Sequence, residues 1–380
     1  MRNSLCLLSR ITALSLMLGA ASCTQPNNSQ TRADNAQSQS DAAVSSGFQV
    51  VASYSVLCDM TEQIAQDTVD VACLIEAGQD PHTYSATPAD RRAVEDADLV
   101  LYNGYEFEPE IIQMIEATDT PAPKVAVSEV AVSDPLLGEA HDHHHGHHAE
   151  GEEHAEGEEH AEGEAHLEDD HYAEGEAHSE GEEHAEGEAV PDPHVWHDAE
   201  NGIAMAQAIQ AQLSDVFPEH AELYESNTAV LIAQIERLDT WIQAQVETIP
   251  GSGRTLISTH DALGYYADAY GLELEPALDG FSTETKPSAA DVKDLTEVVE
   301  SKSVSSIFVE STSNPGLIET VSRETDIAVS QDPLYVDGLG ESSTPAATYQ
   351  GMLVANTCTI VDGLGGSCDR AAAQALLPAQ

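Results

Sequence analysis

From position 48 onward, short apolar runs alternate with longer stretches in which apolar residues recur every three or four positions. The runs at 49–54, 69–75, 99–102 and 124–127 predict strands, and the stretches at 57–66 and 88–96 predict helices between them. A second series follows with the same plan. Its strands are expected at 255–258, 272–277, 306–309 and 327–329, and its helices at 262–270 and 288–302. Alternation of this kind argues for an α/β fold with two lobes, each a mostly parallel sheet flanked by helices.

Between the two series lies a long helical region, 199–248. Pro218 suits the first turn of a new helix, where a missing N–H costs little. Beyond it, Leu223, Val230, Leu231, Ile235, Leu238 and Ile242 recur at helical spacing. About 30 residues at 1.5 Å each reach about 45 Å, enough for one rigid helix joining both lobes. Two ordinary packed helices are the alternative.

The first residues read as a targeting segment. Arg2 and Arg10 precede or flank an apolar run at 11–21, which is too short to span a bilayer. The run ends in small residues and Cys23, resembling a lipobox in which the cysteine is lipidated, although Ala20 stands where leucine is favoured. Ordinary signal cleavage near Ala21 is the alternative, and either route exports the chain. Residues 24–46 are rich in Gln, Asn, Ser and Ala, as expected of a flexible tether. The organisation expected is a signal peptide at 1–22, a lipid-anchored tether at 23–46, an N-terminal lobe at 47–215, a connecting helix at 216–249 and a C-terminal lobe at 250–380.

Composition changes the picture in two ways. With 13 basic and 68 acidic residues the formal net charge is −55. This excludes a nucleic-acid partner, which needs a basic face, and favours cations. A halophilic, strongly solvated surface would give the same sign. The charge is also uneven. Residues 139–188 hold twelve histidines, twenty acidic residues and no Lys or Arg, built on a repeat of Glu-Gly-Glu-Glu-His-Ala. Such a segment has no apolar face to bury, so a disordered insert (139–190) in the first lobe is expected. His141, His143, His144, His145, His147, His148, His154, His160, His166, His171, His178 and His184 would bind divalent ions at several weak accessory sites. A merely solvating acidic loop would not need them.

Export implies an oxidising compartment, leaving Cys58, Cys73, Cys358 and Cys368 to pair. Of the three pairings, the local ones, Cys58 with Cys73 and Cys358 with Cys368, close the shortest loops. A thiolate zinc site competes, but no Cys-x-x-Cys pair is present.

Three of the five histidines outside the insert sit where a strand meets a loop: His82, His194 and His260. Ligands of open α/β sheets bind at the carboxyl ends of strands. Three imidazoles with one carboxylate make a tetrahedral site suited to Zn2+. Asp337 is the expected fourth donor. Asp80 and Asp261 are the expected orienting partners of the imidazoles. His197 is expected at the surface, with an accessory ligand role as the alternative.

The motifs Gly-Gln-Asp-Pro-His-Thr-Tyr (78–84), Pro-His-Val-Trp-His-Asp (193–198), His-Asp-Ala-Leu-Gly-Tyr-Tyr-Ala-Asp-Ala-Tyr-Gly-Leu (260–272), Ile-Phe-Val-Glu (307–310) and Asp-Gly-Leu-Gly (337–340) together resemble the cluster A-I metal-binding solute receptors, and among them the ZnuA-like zinc-binding proteins. The resemblance covers 48–364. It implies two α/β lobes joined by one long helix, with ligands at His82, His194, His260 and, in the acidic position, Asp337. Manganese and iron members carry glutamate at the third position, so His260 implies zinc. It further implies an exported, non-enzymatic, monomeric binding protein that delivers Zn2+ to an ABC-type permease in the inner membrane. The insert would then act as a zinc collector or a sensor of excess zinc. Competing readings are an exported zinc hydrolase with Glu310 as base, and a lipid-anchored metal buffer or adhesin. No His-Glu-x-x-His helix supports the hydrolase. Protons should compete with metal below about pH 6.5, the free imidazole value.

Overall fold

In the computed structural model, residues 47–139, 189–278, 280–284, 288–302 and 304–377 are described. The targeting segment, the tether with Cys23 and all twelve histidines of the insert lie outside these residues. The first half runs β1 (Gln49–Tyr54), α1 (Ser55–Ala65), β2 (Asp70–Ile75), α2 (Pro88–Asp96), β3 (Leu99–Tyr102), α3 (Pro109–Ala117), β4 (Lys124–Ala126) and α4 (Val127–Ala131). Its strands form one parallel sheet of order β2-β1-β3-β4. Val50 to Tyr54 are all buried, as befits a central strand covered on both faces. Helix α2 starts where the sequence signals it. Thr87 accepts from the N–H groups of Ala89 and Asp90, Asp90 returns a bond to the Thr87 N–H, and Pro88 occupies the first turn.

Strands β5 (Leu137–Glu139) and β6 (Ala189–Pro191) then pair antiparallel, with Glu139 opposite Ala189. Residue 139 and residues 189–190, expected within the insert, therefore belong to a two-stranded ladder. The insert proper begins and ends at one place.

Two helices follow, α5 (Ala199–Val216) and α6 (Ala221–Val246), separated by a 3-10 turn at Pro218–His220. Helix α6 is shorter than 216–249 because this turn takes up its start. At 26 residues it spans about 39 Å. Its buried face is Tyr224, Thr228, Leu231, Ile235, Leu238, Trp241, Ile242, Gln245 and Val246. Leu223 and Val230, expected on that face, are 36% and 58% exposed. The stripe runs through Tyr224 and Thr228, whose polar groups hid them from an apolar count. Helix α6 packs on α1 and α5, and on the second half's helices at Gly264–Tyr270 and Tyr349–Gly363.

The second half contains β7 (Thr255–Ser258), α7 (Gly264–Tyr270), β8 (Glu273–Pro276), α8 (Ala289–Lys302), β9 (Ser306–Ile307), α9 (Gly316–Thr325), β10 (Ala328–Val329), α10 (Tyr349–Gly363) and α11 (Arg370–Gln374). Gly271 ends α7 in the left-handed region (φ 70°), which a residue with a Cβ enters at a cost. Strands β7 and β8 pair parallel, as do β9 and β10. The run at 306–309 yields only a two-residue strand because its N–H and C=O groups serve different neighbours. Phe308 N–H donates to Ile257 O (3.0 Å), whereas Val309 O accepts from Leu334 N–H (2.9 Å). The fold is thus α/β, with parallel strands flanked by helices in both halves.

One apolar cluster runs from β1 through α6 to α10, and a smaller one underlies β7, β9, α8 and α9. Both local disulfides form: Cys58 bonds Cys73 and Cys358 bonds Cys368. This removes the thiolate zinc alternative.

Candidate metal centre

Four side chains from distant parts of the chain meet at the loops that follow the strands. His82 follows β2, His194 follows β6, His260 follows β7, and Asp337 follows the Glu310–Leu334 bridge. Each is fixed locally. His82 N–H donates to Asp80 Oδ1 (3.0 Å) and His194 N–H to Asp192 Oδ1 (2.9 Å). His260 N–H donates to Glu310 Oε1 (3.0 Å). Asp337 lies on a strap held by both halves. His197 Nε2–H donates to Val336 O (2.8 Å), Leu339 N–H to Ser55 Oγ (2.8 Å), and Tyr335 N–H to Asn356 Oδ1 (2.8 Å).

All four side chains are buried, with His82 the most accessible at 4%. Asp337 Oδ1 stands 3.3 Å from His82 Nε2, 3.5 Å from His194 Nε2 and 3.2 Å from His260 Nε2. His82 Nε2 and His194 Nε2 are 3.4 Å apart. Four donors held tetrahedrally about an ion at 2.0–2.1 Å stand roughly 3.3–3.4 Å from one another. These four separations match that edge, and all the donor atoms lie within 4.8 Å of one another. Moreover, His260 Nε2 and Asp337 Oδ1 are buried without a hydrogen bond. Unpartnered buried polar atoms are costly, and a cation at their centre would satisfy them.

The imidazoles are oriented from behind. Asp192 Oδ1 accepts from His194 Nδ1 (2.9 Å) and Glu310 Oε2 from His260 Nδ1 (2.7 Å). A carboxylate on Nδ1 fixes the proton there and turns the Nε2 lone pair toward the centre. Aromatic rings close the rest. Phe107 lies edge-on to His82 (4.9 Å) and His194 (5.4 Å), and Trp196 lies beside His194 (5.5 Å).

The electrostatics follow from this packing. Burial disfavours the Asp337 carboxylate, but the three imidazoles outweigh it and hold its pKa well below the usual range. Burial likewise opposes charge on His260, yet Glu310 and Asp337 raise its pKa well above the ordinary value. His194 is raised in the same way by Asp192 and Asp337. On His82 burial prevails and the pKa falls.

The profile of the family described as "Zinc-uptake complex component A periplasmic" matches residues 50–363. The chain belongs to that family. Its members are solute-binding proteins and not enzymes. Among similar proteins, the manganese-binding lipoprotein MntA of Bacillus subtilis is 27% identical over 83% of this chain and 89% of its own length. The zinc-binding protein TroA of Treponema pallidum is 27% identical over 83% and 88%. The solved structure of periplasmic TroA superposes with a TM-score of 0.66 at 26% identity, covering 83% of this chain and 98% of that one.

The structure brings His82, His194, His260 and Asp337 together, and among the described residues they form the one group with metal-ligand geometry. Two other expectations need correction. His197 is fully buried and lies outside the group. Its Nε2 anchors the Asp337 strap, and burial pushes its pKa down to about 3. The carboxylates bonded to ring nitrogens are Asp192 on His194 and Glu310 on His260, and Asp80 is not among them. Asp80 instead caps its own turn and accepts from Thr283 Oγ1 (2.6 Å). Asp80 and Asp192 share the same Asp-Pro-His spacing, and both accept from the N–H of their histidine, so the sequence did not separate the ring partner from the turn cap. Glu310 lay within the Ile-Phe-Val-Glu motif, but its pairing with His260 has no local signature. Glu310 accepts four hydrogen bonds, from Thr259 N–H, His260 N–H, His260 Nδ1–H and Ser313 Oγ–H. With its lone pairs committed, it has none left for a catalytic base.

Proposed function

We propose that this protein captures Zn2+ outside the inner membrane and delivers it to an ABC-type permease. The observation that carries the reading is the buried set of three imidazoles whose Nε2 atoms gather within 3.2–3.5 Å of one Asp337 oxygen. Manganese is the second reading, because relatives such as MntA are named for it. Three nitrogen donors argue for zinc, since the harder Mn2+ prefers oxygen. Release needs no covalent step. The strap carrying Asp337 is bonded to both halves, so any displacement of one half against the other moves that ligand.

The remaining features fit this role. The histidine- and glutamate-rich insert, whose ends meet at β5 and β6, is a low-affinity zinc collector or sensor. Lipidation at Cys23 would hold a monomer at the membrane, with 24–46 as tether. Zinc calorimetry on the full chain, beside a His82→Ala/His194→Ala/His260→Ala variant, tests the reading. One tight site plus several weak ones, with only the tight one lost in the variant, supports it. A variant that still binds as tightly as the unaltered chain would move the zinc site into the insert.

A further inference from the structure

We infer that Thr312 determines metal specificity: by holding one oxygen of Asp337 it limits that carboxylate to a single metal bond and the site to four donors. The inference rests on the metal-capture reading above. The two oxygens of Asp337 have different fates. Oδ1 faces the three imidazole nitrogens and makes no hydrogen bond, whereas Oδ2 accepts from the Thr312 hydroxyl.

The surroundings make this division hard to escape. The backbone on both sides of Asp337 is tied down, by His197 at Val336 and by Ser55 at Leu339. Only the side-chain torsions of Asp337 remain free, and Thr312 holds those. Thr312 is itself placed by a short turn in which the Ser313 hydroxyl bonds Glu310 (2.6 Å) and so supports His260. The segment 310–313 therefore steadies two donors at once. With Oδ2 engaged, the centre offers three nitrogens and one oxygen. Four donors satisfy Zn2+. Mn2+ favours six ligands rich in oxygen and would need both carboxylate oxygens and added water. Thr312 thus excludes by coordination number what the imidazoles disfavour by donor type.

The test uses the full chain with Thr312 unaltered or changed to Val, Ala or Ser. Zn2+ and Mn2+ affinities are measured by chelator competition. Co2+ absorption is recorded as a difference spectrum against His194→Ala, which subtracts cobalt held elsewhere. In Thr312→Val and Thr312→Ala the freed Oδ2 swings onto the ion. The preference for Zn2+ over Mn2+ should narrow by about tenfold, the low end for loss of an outer partner. The visible cobalt bands should weaken as four-coordination gives way to five. Thr312→Ser keeps the hydroxyl and should keep both properties. Reading two replacements guards against one that misfolds, and melting of the metal-free chains checks each. An unchanged zinc-to-manganese ratio and cobalt spectrum in Thr312→Val and Thr312→Ala overturn the role of Thr312 alone. An unaltered chain whose cobalt spectrum equals that of His194→Ala overturns the capture reading, and Thr312 falls with it.

Discussion

Replacing Glu310 by Gln isolates the contribution of a residue that would touch no metal. The amide is isosteric, so packing is retained. Its oxygen can keep the N–H groups of Thr259 (2.9 Å) and His260 (3.0 Å). Its NH2 then stands where Oε2 accepted from His260 Nδ1 and Ser313 Oγ. The serine hydroxyl can rotate and accept instead. The imidazole cannot, because Nδ1–H now faces N–H. Relief comes only if the ring proton moves to Nε2, the atom aimed at the centre. A metal must then displace that proton and leave two donors opposed. Loss of such an outer partner lowers metal affinity 10- to 100-fold in comparable sites, or about 1.4–2.8 kcal/mol. Competition against a fluorescent zinc chelator at neutral pH measures it, with melting of the metal-free protein as a control for folding. If Glu310→Gln binds zinc as tightly as the unaltered chain, the carboxylate does not set the His260 tautomer and the orientation argument fails.

Two further predictions concern stability. Glu108 is fully buried, and desolvation pushes its carboxyl up to about 7 from its ordinary value of 4.5. The folded state then holds this proton more tightly than the unfolded chain does. Its contribution is full below about pH 4.5 and is lost as pH rises to about 7, a loss of about 3 kcal/mol. Glu108→Gln should therefore match the unaltered chain in acid and exceed it above about pH 7. Urea unfolding across this range checks it, and a difference independent of pH would contradict it. Gly202 on α5 meets α10 so closely that an added Cβ would lie 2.0 Å from the Tyr349 hydroxyl, which donates to Trp196 O (2.7 Å). Gly202→Ala should cost about 1–3 kcal/mol by overpacking, read as a lower Tm. Gly251→Ala, with nothing within 4 Å of the new atom, should change stability by under about 0.5 kcal/mol.

Local pattern was enough to reveal the strands of the first sheet, the span of α2, the break at Pro218 and the pairing of nearby cysteines. Each depends on residues a few positions apart, whose side-chain periodicity or backbone constraint is written into neighbouring letters. That His82, His194, His260 and Asp337 would come together was legible too, because binding residues gather at strand ends and those ends can be read from the pattern. What the pattern did not reveal was which groups face one another across long separations. Glu310 reaches the His260 ring from 50 residues away, a pairing that no neighbouring letters record. His197 looked like a surface residue beside His194, until the strap carrying Val336 covered it. Leu223 and Val230 looked like core, until the packing of α6 against both halves chose the stripe through Tyr224 and Thr228. Sequence determined the candidate donors and the elements that present them. Only the packing of strands and helices decided their separations, their orienting partners and the oxygen of Asp337 that faces the centre.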